Sequence, residues 1–187
     1  IPLRLVGSEM CIRDSAEGWL ITGSRHGVYE DHKFIQPLEE FIRRVEEEKI
    51  PLLGICFGHQ IIAQALGGKV EKFSGGWSVG LKEYKWGNER LHLNAWHQDQ
   101  VIKKPKKAKV LAENSFCKYA ALSYGDTILT TQPHPEFTNE VIKGLIKTRG
   151  KGRVPEHLLD EALNNIEKKT SLNEIVTKFS LVLNGDR

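Results

Sequence analysis

The stretch Pro51-Leu52-Leu53-Gly54-Ile55-Cys56-Phe57-Gly58-His59-Gln60 decides how this chain is read. It is an apolar run that ends in Gly-x-Cys-x-Gly and passes straight into a helical pattern. A buried strand that delivers a cysteine to a sharp turn, with a helix starting at once, is the thiol form of a nucleophile elbow. The turn needs glycines because the nucleophile's backbone is strained and its neighbours have no room for side chains. The helix N-terminus sets partial positive charge beside the sulfur and favours thiolate over thiol.

Outward from this elbow, the chain alternates strand and helix. Residues 19–22 read as a short buried strand and Gly23-Ser24-Arg25-His26-Gly27 as a loop. Residues 34–48 carry Phe34, Leu38, Phe41, Ile42 and Val45 at helical spacing with charges between them. Residues 50–55 form the next strand, and residues 58–66 a helix stopped by Gly67-Gly68. This order predicts an α/β fold, a doubly wound, mostly parallel sheet with helices on both faces. Residues 70–73, 79–86, 91–95, 110–112, 119–123 and 127–131 read as short strands, a small β-rich insertion that returns to the main sheet. Helices are expected over 139–147, 155–168 and 171–183, a helical C-terminus. In the last of these, Ile175, Val176, Phe179, Val182 and Leu183 make one apolar stripe that packs on the domain.

Composition narrows the function classes. At 187 residues one domain with a sizeable core is expected. A net charge of +3 gives no argument for nucleic acid. The one basic run, Lys103, Lys104, Lys106, Lys107 and Lys109, reads as a solvated turn. No stretch is apolar enough to span a membrane. Cys11, Cys56 and Cys117 have neither paired nor metal-type spacing, which fits a reducing, cytoplasmic setting with a free thiol. His26, His92 and His97 lack metal-type spacing, so no metal and no cofactor are expected.

A thiolate that transfers acyl groups needs a base, a group to orient the base, and an oxyanion hole. The best base is His134, in Gln132-Pro133-His134-Pro135-Glu136-Phe137 directly after a predicted strand. In an extended segment His134 and Glu136, two apart, point the same way. Glu136 can then accept from one ring nitrogen while the other faces Cys56. The prolines on both sides of His134 restrict the backbone that carries it. For the oxyanion, backbone N–H groups are expected from Phe57 and from the Gly23-Ser24 loop. His59 reads as a packing or hydrogen-bonding residue of the elbow helix.

Taken together, Ile21-Thr22-Gly23-Ser24, Gly54-Ile55-Cys56-Phe57-Gly58-His59-Gln60, Ala65-Leu66-Gly67-Gly68-Lys69-Val70, Trp96-His97-Gln98-Asp99 and Gln132-Pro133-His134-Pro135-Glu136 resemble the class I, triad-type glutamine amidotransferases. Among these the chain looks most like stand-alone members akin to the amidotransferase domain of GMP synthase, which include γ-glutamyl peptidases. The resemblance runs from Gly18 to about Phe137. It implies attack of Cys56 on the side-chain amide of glutamine, with a γ-glutamyl thioester, ammonia and then glutamate as products. His134 would serve as base and acid with Glu136 behind it, and Gln60, Trp77, His97 and Asp99 would line the substrate side. The implied partners are glutamine or a γ-glutamyl compound and an ammonia-accepting synthase. A γ-glutamyl peptidase would use the same triad, and a non-catalytic binding or regulatory domain is a third reading. No synthase domain or Gly-x-x-x-x-Gly-Lys loop is seen in the sequence.

Two departures from the family pattern are present. Its glycine-glycine-proline oxyanion loop is Gly23-Ser24-Arg25 here, which keeps a backbone N–H at each position. The family's N-terminal strand–helix–strand has no counterpart in residues 1–18. The expected organisation is therefore an atypical leader over 1–15 and a domain over 16–187 that lacks the N-terminal part of its sheet. The leader is expected to pack poorly and to leave a sheet edge exposed.

Overall fold

A computed structural model describes residues 16–185. The expectations for the leader over 1–15 lie outside the described residues. The elements run β1 (Trp19–Ile21), α1 (Ile35–Glu47), β2 (Leu52–Ile55), α2 (Phe57–Ala65), β3 (Lys69–Lys72), β4 (Ser78–Trp86), β5 (Glu89–His97) and β6 (Asp99–Lys103). They continue with β7 (Ala108–Glu113), β8 (Ala121–Tyr124), β9 (Ile128–Thr131), α3 (Asn139–Leu145), a π-helical turn (Ile146–Gly150), α4 (Glu156–Asn164) and α5 (Leu172–Asn184).

Seven strands form one sheet in the order β1-β2-β9-β8-β7-β4-β5. Parallel pairing holds β1, β2 and β9 together, and the β-rich middle of the chain adds the other strands by antiparallel pairs. The α/β sheet expected from the strand–helix alternation is therefore a mixed one, parallel where the elbow lies. Sequential strands joined by short turns can pair only antiparallel, which is why the parallel set is confined to strands separated by helices or long excursions. β3 and β6 stand apart as a two-stranded antiparallel ladder. The sequence reading missed β6, because Asp99-Gln100-Val101-Ile102-Lys103 has strand character only in partnership with β3.

Strand periodicity sends alternate residues to opposite faces, and the central strands are buried on both. Leu52, Leu122 and Ile128 face one core with Ile35, Ile42 and Val45 of α1 and Phe57, Ile61 and Ile62 of α2. Leu53, Ala121 and Leu129 face the other, against Ile175 and Val182 of α5. Helices thus cover both faces. Of the expected α5 stripe, Phe179 joins this packing, whereas Val176 and Leu183 stay exposed. A third cluster joins Val79 of β4 to Ile142, Ile146, Leu159 and Ala162 of the C-terminal helices. Among the described residues no helix is long and apolar enough to cross a membrane.

Candidate active site

The elbow is built by backbone contacts that only glycine permits. Cys56 sits between β2 and α2 with φ 52° and ψ −101°, a left-handed conformation rare for a residue with a side chain. Its N–H is tied to the Thr131 carbonyl at 2.9 Å and its carbonyl accepts from Gln60 N at 3.0 Å, so both strand and helix clamp it. A Cβ on Gly58 would lie 2.0 Å from the Ile21 carbonyl oxygen, and one on Gly54 would lie 2.8 Å from the Gly58 carbonyl carbon. The two flanking glycines therefore let α2 start against β1 and β2. Eight of the nine residues of α2 are buried.

His134 comes to Cys56 from the end of β9. Its N–H donates to the Asn94 carbonyl of β5 at 2.8 Å, and Asn94 Nδ2 donates back to the Phe137 carbonyl at 2.9 Å. The turn is thus pinned at both ends by one buried asparagine. His134 Nδ1 lies 2.7 Å from Glu136 Oε1, and the imidazole stacks on Phe137 with centroids 3.9 Å apart. Burial alone would lower the His134 pKa. The hydrogen bond and charge of Cys56, followed by the contact with Glu136, overcome that and hold it at about 9. The imidazole therefore favours its protonated form beside the sulfur.

A second chain of contacts reaches the thiol from behind. Gln60 Nε2 donates to Gln132 Oε1 at 3.1 Å and to the Asp99 carbonyl at 2.8 Å, while Gln132 Nε2 donates to Cys56 Sγ at 3.6 Å. Gln132 is fully buried, and its amide orientation follows from having an acceptor on one side and a donor on the other. Gln60, read from the sequence as a substrate residue, thus holds Gln132 and the start of β6 in place.

Phe57 opens α2, where its N–H is one of the helix's free donors. Gly23 borders the same space: a Cβ there would stand 3.0 Å from His134 Cε1 and 3.9 Å from Cys56 Cβ. Ser24 is exposed beside it, with its hydroxyl accepting from His26 N at 3.1 Å. Asp99 stands at the start of β6. Burial raises its pKa, opposed by a hydrogen bond from the Tyr29 hydroxyl. His97 is buried, with Nδ1 3.3 Å from the Asp99 carbonyl oxygen and Nε2 without a partner. Burial, with the nearby charge of His134, pushes its pKa down to about 3, so it is neutral. Trp77 packs with Trp96 and Phe137 on the third cluster. It also lines a cleft of about 660 Å³ with Gly76, Asn114 and Phe116, a cleft that neither Cys56 nor His134 lines.

The buried His59 donates from Nδ1 to Thr130 Oγ1 at 2.8 Å, because that hydroxyl spends its own proton on the Leu122 carbonyl. This is the hydrogen-bonding role read for it from the sequence. Asn94, Phe137, Gln132 and Tyr29 carried no assigned role in that reading. Asn94, Gln132 and Tyr29 act through partners distant in the chain, which no local pattern marks, whereas Phe137 stacks on His134 three residues before it.

Comparisons with known proteins give the family and the fold. Residues 11–147 match the family described as "Glutamine amidotransferase class-I". Gamma-glutamyl peptidase 4 of Arabidopsis thaliana is 32% identical over 178 residues, covering 87% of this chain and 69% of the relative. The glutamine-hydrolyzing GMP synthase subunit of Methanocaldococcus jannaschii is 34% identical over 116 residues, covering 54% of this chain and 62% of the relative. The crystal structure of a glutamine amidotransferase from Methylobacillus flagellatus superposes with a TM-score of 0.78 at 19% identity, over 93% of this chain and 78% of that one. The chain spans 58–69% of the length of the gamma-glutamyl peptidases it matches. A match across most of the sequence, on a fold shared with solved members, places the chain in the class-I glutamine amidotransferase family.

Proposed function

We propose that this protein cleaves a γ-glutamyl amide bond through a thioester on Cys56, with glutamine as substrate and glutamate and ammonia as products. The observation that carries the reading is a strained, helix-capping cysteine with a His134–Glu136 pair drawn up to it. The thiolate of Cys56 attacks the carbonyl carbon, and the developing oxyanion is met by the N–H of Phe57 and by N–H groups of the Gly23-Ser24 segment. The imidazolium of His134 protonates the departing nitrogen, so ammonia leaves and the S–C bond remains. Neutral His134 then takes a proton from water as it attacks the thioester, and returns it to the sulfur as glutamate departs. Glu136 keeps the ring oriented and offsets its charge. In this reading Gln60, His97 and Asp99, which are tied together at the start of β6, would face the substrate's amino-acid end, with Trp77 farther out.

A second reading has its own support. The relative aligned over 87% of this chain is named a gamma-glutamyl peptidase, and the same thioester serves when the leaving group is the amine of a second residue. An ammonia-accepting synthase partner belongs only to the first reading, and its support is that the Methanocaldococcus relative is named as one part of a GMP synthase.

The deciding experiment follows ammonia release from glutamine and amino-acid release from γ-glutamyl dipeptides, with wild type and Cys56→Ala. Turnover of glutamine that Cys56→Ala abolishes supports the first reading, and turnover of the dipeptides alone supports the second. No turnover of either, or full activity in Cys56→Ala, overturns the assignment.

A further inference from the structure

The loop between β1 and α1 gathers three metal-ligating side chains that the candidate active site does not use. Gly27 accepts from the Glu30 N–H at 3.2 Å, closing a turn that carries the chain back on itself. His26 and Glu30 thereby become neighbours, and His32 follows two residues on. Glu30 Oε2 lies 2.6 Å from His32 Nε2 and 3.5 Å from His26 Nδ1, and the three ligand atoms all lie within 4.8 Å of one another.

The arrangement is anchored from below. Val28, in the middle of the turn, is buried, and its carbonyl accepts from Gln64 Nε2 of α2 at 2.8 Å. His32 stacks on Phe34 with 10° between the rings, and His26 meets the same phenyl at 6.1 Å. The two imidazole centroids stand 4.2 Å apart. Ion pairing with Glu30 accounts for one histidine. The second imidazole lies 3.5 Å from the same oxygen, which the first already occupies.

A divalent ion would take all three side chains at once, with both imidazoles neutral and the carboxylate ionised. Around a tetrahedral zinc with bonds of about 2.0–2.1 Å, ligand atoms stand roughly 3.3 Å apart. The Glu30–His32 contact would open by less than about 1 Å and the His26–His32 pair, within 4.8 Å, would close by up to about 1.5 Å, shifts within reach of partly exposed side chains. Arg25 Nε, which donates to His26 Nε2 at 3.3 Å, would turn away into solvent so that this nitrogen could carry the ring proton. Two imidazoles and one carboxylate with an open fourth position suit zinc and neighbouring late first-row metals more than magnesium or calcium.

We propose that His26, Glu30 and His32 form a binding site for a late first-row divalent cation on the loop that follows Gly23-Ser24. The loop also carries Tyr29, whose hydroxyl hydrogen-bonds Asp99, so the site lies beside the candidate active site without sharing its residues.

The test uses the full chain with Cys11→Ser and Cys56→Ser, so that these two thiols cannot take the metal. Zinc is titrated against a chromophoric chelator at neutral pH. The expected result is one zinc per chain, with affinity at least about 10-fold weaker in His26→Ala and in His32→Ala. A zinc-dependent rise in Tm should be present in the parent and absent from both variants. No binding below millimolar zinc, or affinity in both variants equal to that of the parent, overturns the site. If His32→Ala does not fold, as judged by circular dichroism, His26→Ala alone decides between the two outcomes.

Discussion

The phenyl ring of Phe137 lies flat against the imidazole of His134, with 3.9 Å between centroids and 7° between planes. The stack fixes the plane of the ring, the hydrogen bond to Glu136 fixes its rotation, and the Asn94 contacts fix the backbone beneath it. Three constraints on one side chain is the arrangement that proton transfer at a set distance requires.

Loosening those constraints should cost rate more than substrate binding. Asn94→Leu removes the donor to the Phe137 carbonyl while keeping side-chain bulk in a buried position. The expected outcome is a kcat lower by roughly 10- to 100-fold with KM changed little. Steady-state kinetics on glutamine or a γ-glutamyl dipeptide checks it, and an unchanged kcat would remove Asn94 from the positioning set.

The proton on His134 is expected to depend on the sulfur. Its imidazole should titrate near 9 in the wild type and fall well below that in Cys56→Ser, where no thiolate forms. Histidine ring resonances followed against pH by NMR give both values. Glu136→Gln should lower the value as well, and the alkaline limb of kcat/KM should move down with it. A folded pKa above the ordinary value near 6.5 means that protonation favours the folded state. That contribution is complete below about 6.5 and lost as pH rises through about 9.

Gln132 is expected to act on the nucleophile rather than on the substrate. Gln132→Leu deletes the donor to Cys56 Sγ and strands the Gln60 amide that now bonds to Gln132 Oε1. The rate of iodoacetamide alkylation at Cys56 should fall several-fold near neutral pH, since the reacting sulfur has lost its hydrogen-bond donor. Alkylation at the wild-type rate would confine Gln132 to packing.

Gly58→Ala should be tolerated poorly wherever it is measured. The added methyl would fall 2.0 Å from the Ile21 carbonyl oxygen, on rigid backbone at both sides. A loss of about 3 kcal/mol or more is expected from urea unfolding, as for severe overpacking. Ala at an open site such as Gly144, in α3, is the control; nothing lies within 4 Å of a Cβ there.

The chain's local patterns carried much of this protein. The strand–elbow–helix of residues 51–66 is legible because each part is set by its neighbours in sequence: an apolar run, glycines where backbone crowds, and a buried helix after them. The spacing of His134 and Glu136 made them legible as a pair, but they meet in a turn closed by the Phe137 N–H on the His134 carbonyl at 3.2 Å, not along the extended chain expected from the sequence. Asn94 under the His134 turn, Gln132 against the sulfur, β6 beside β3 and the meeting of His26 with Glu30 and His32 were not legible. Asn94 and Gln132 act between segments about 40 and 76 residues apart, β6 depends on a strand some thirty residues earlier, and the histidine loop depends on one turn closed over a buried valine. Cys56 was specified by its own decapeptide; what holds His134 against it was decided only when β5, β9 and α2 packed together, because a side chain's partners in a folded chain are set by the sheet order and not by the spacing of letters.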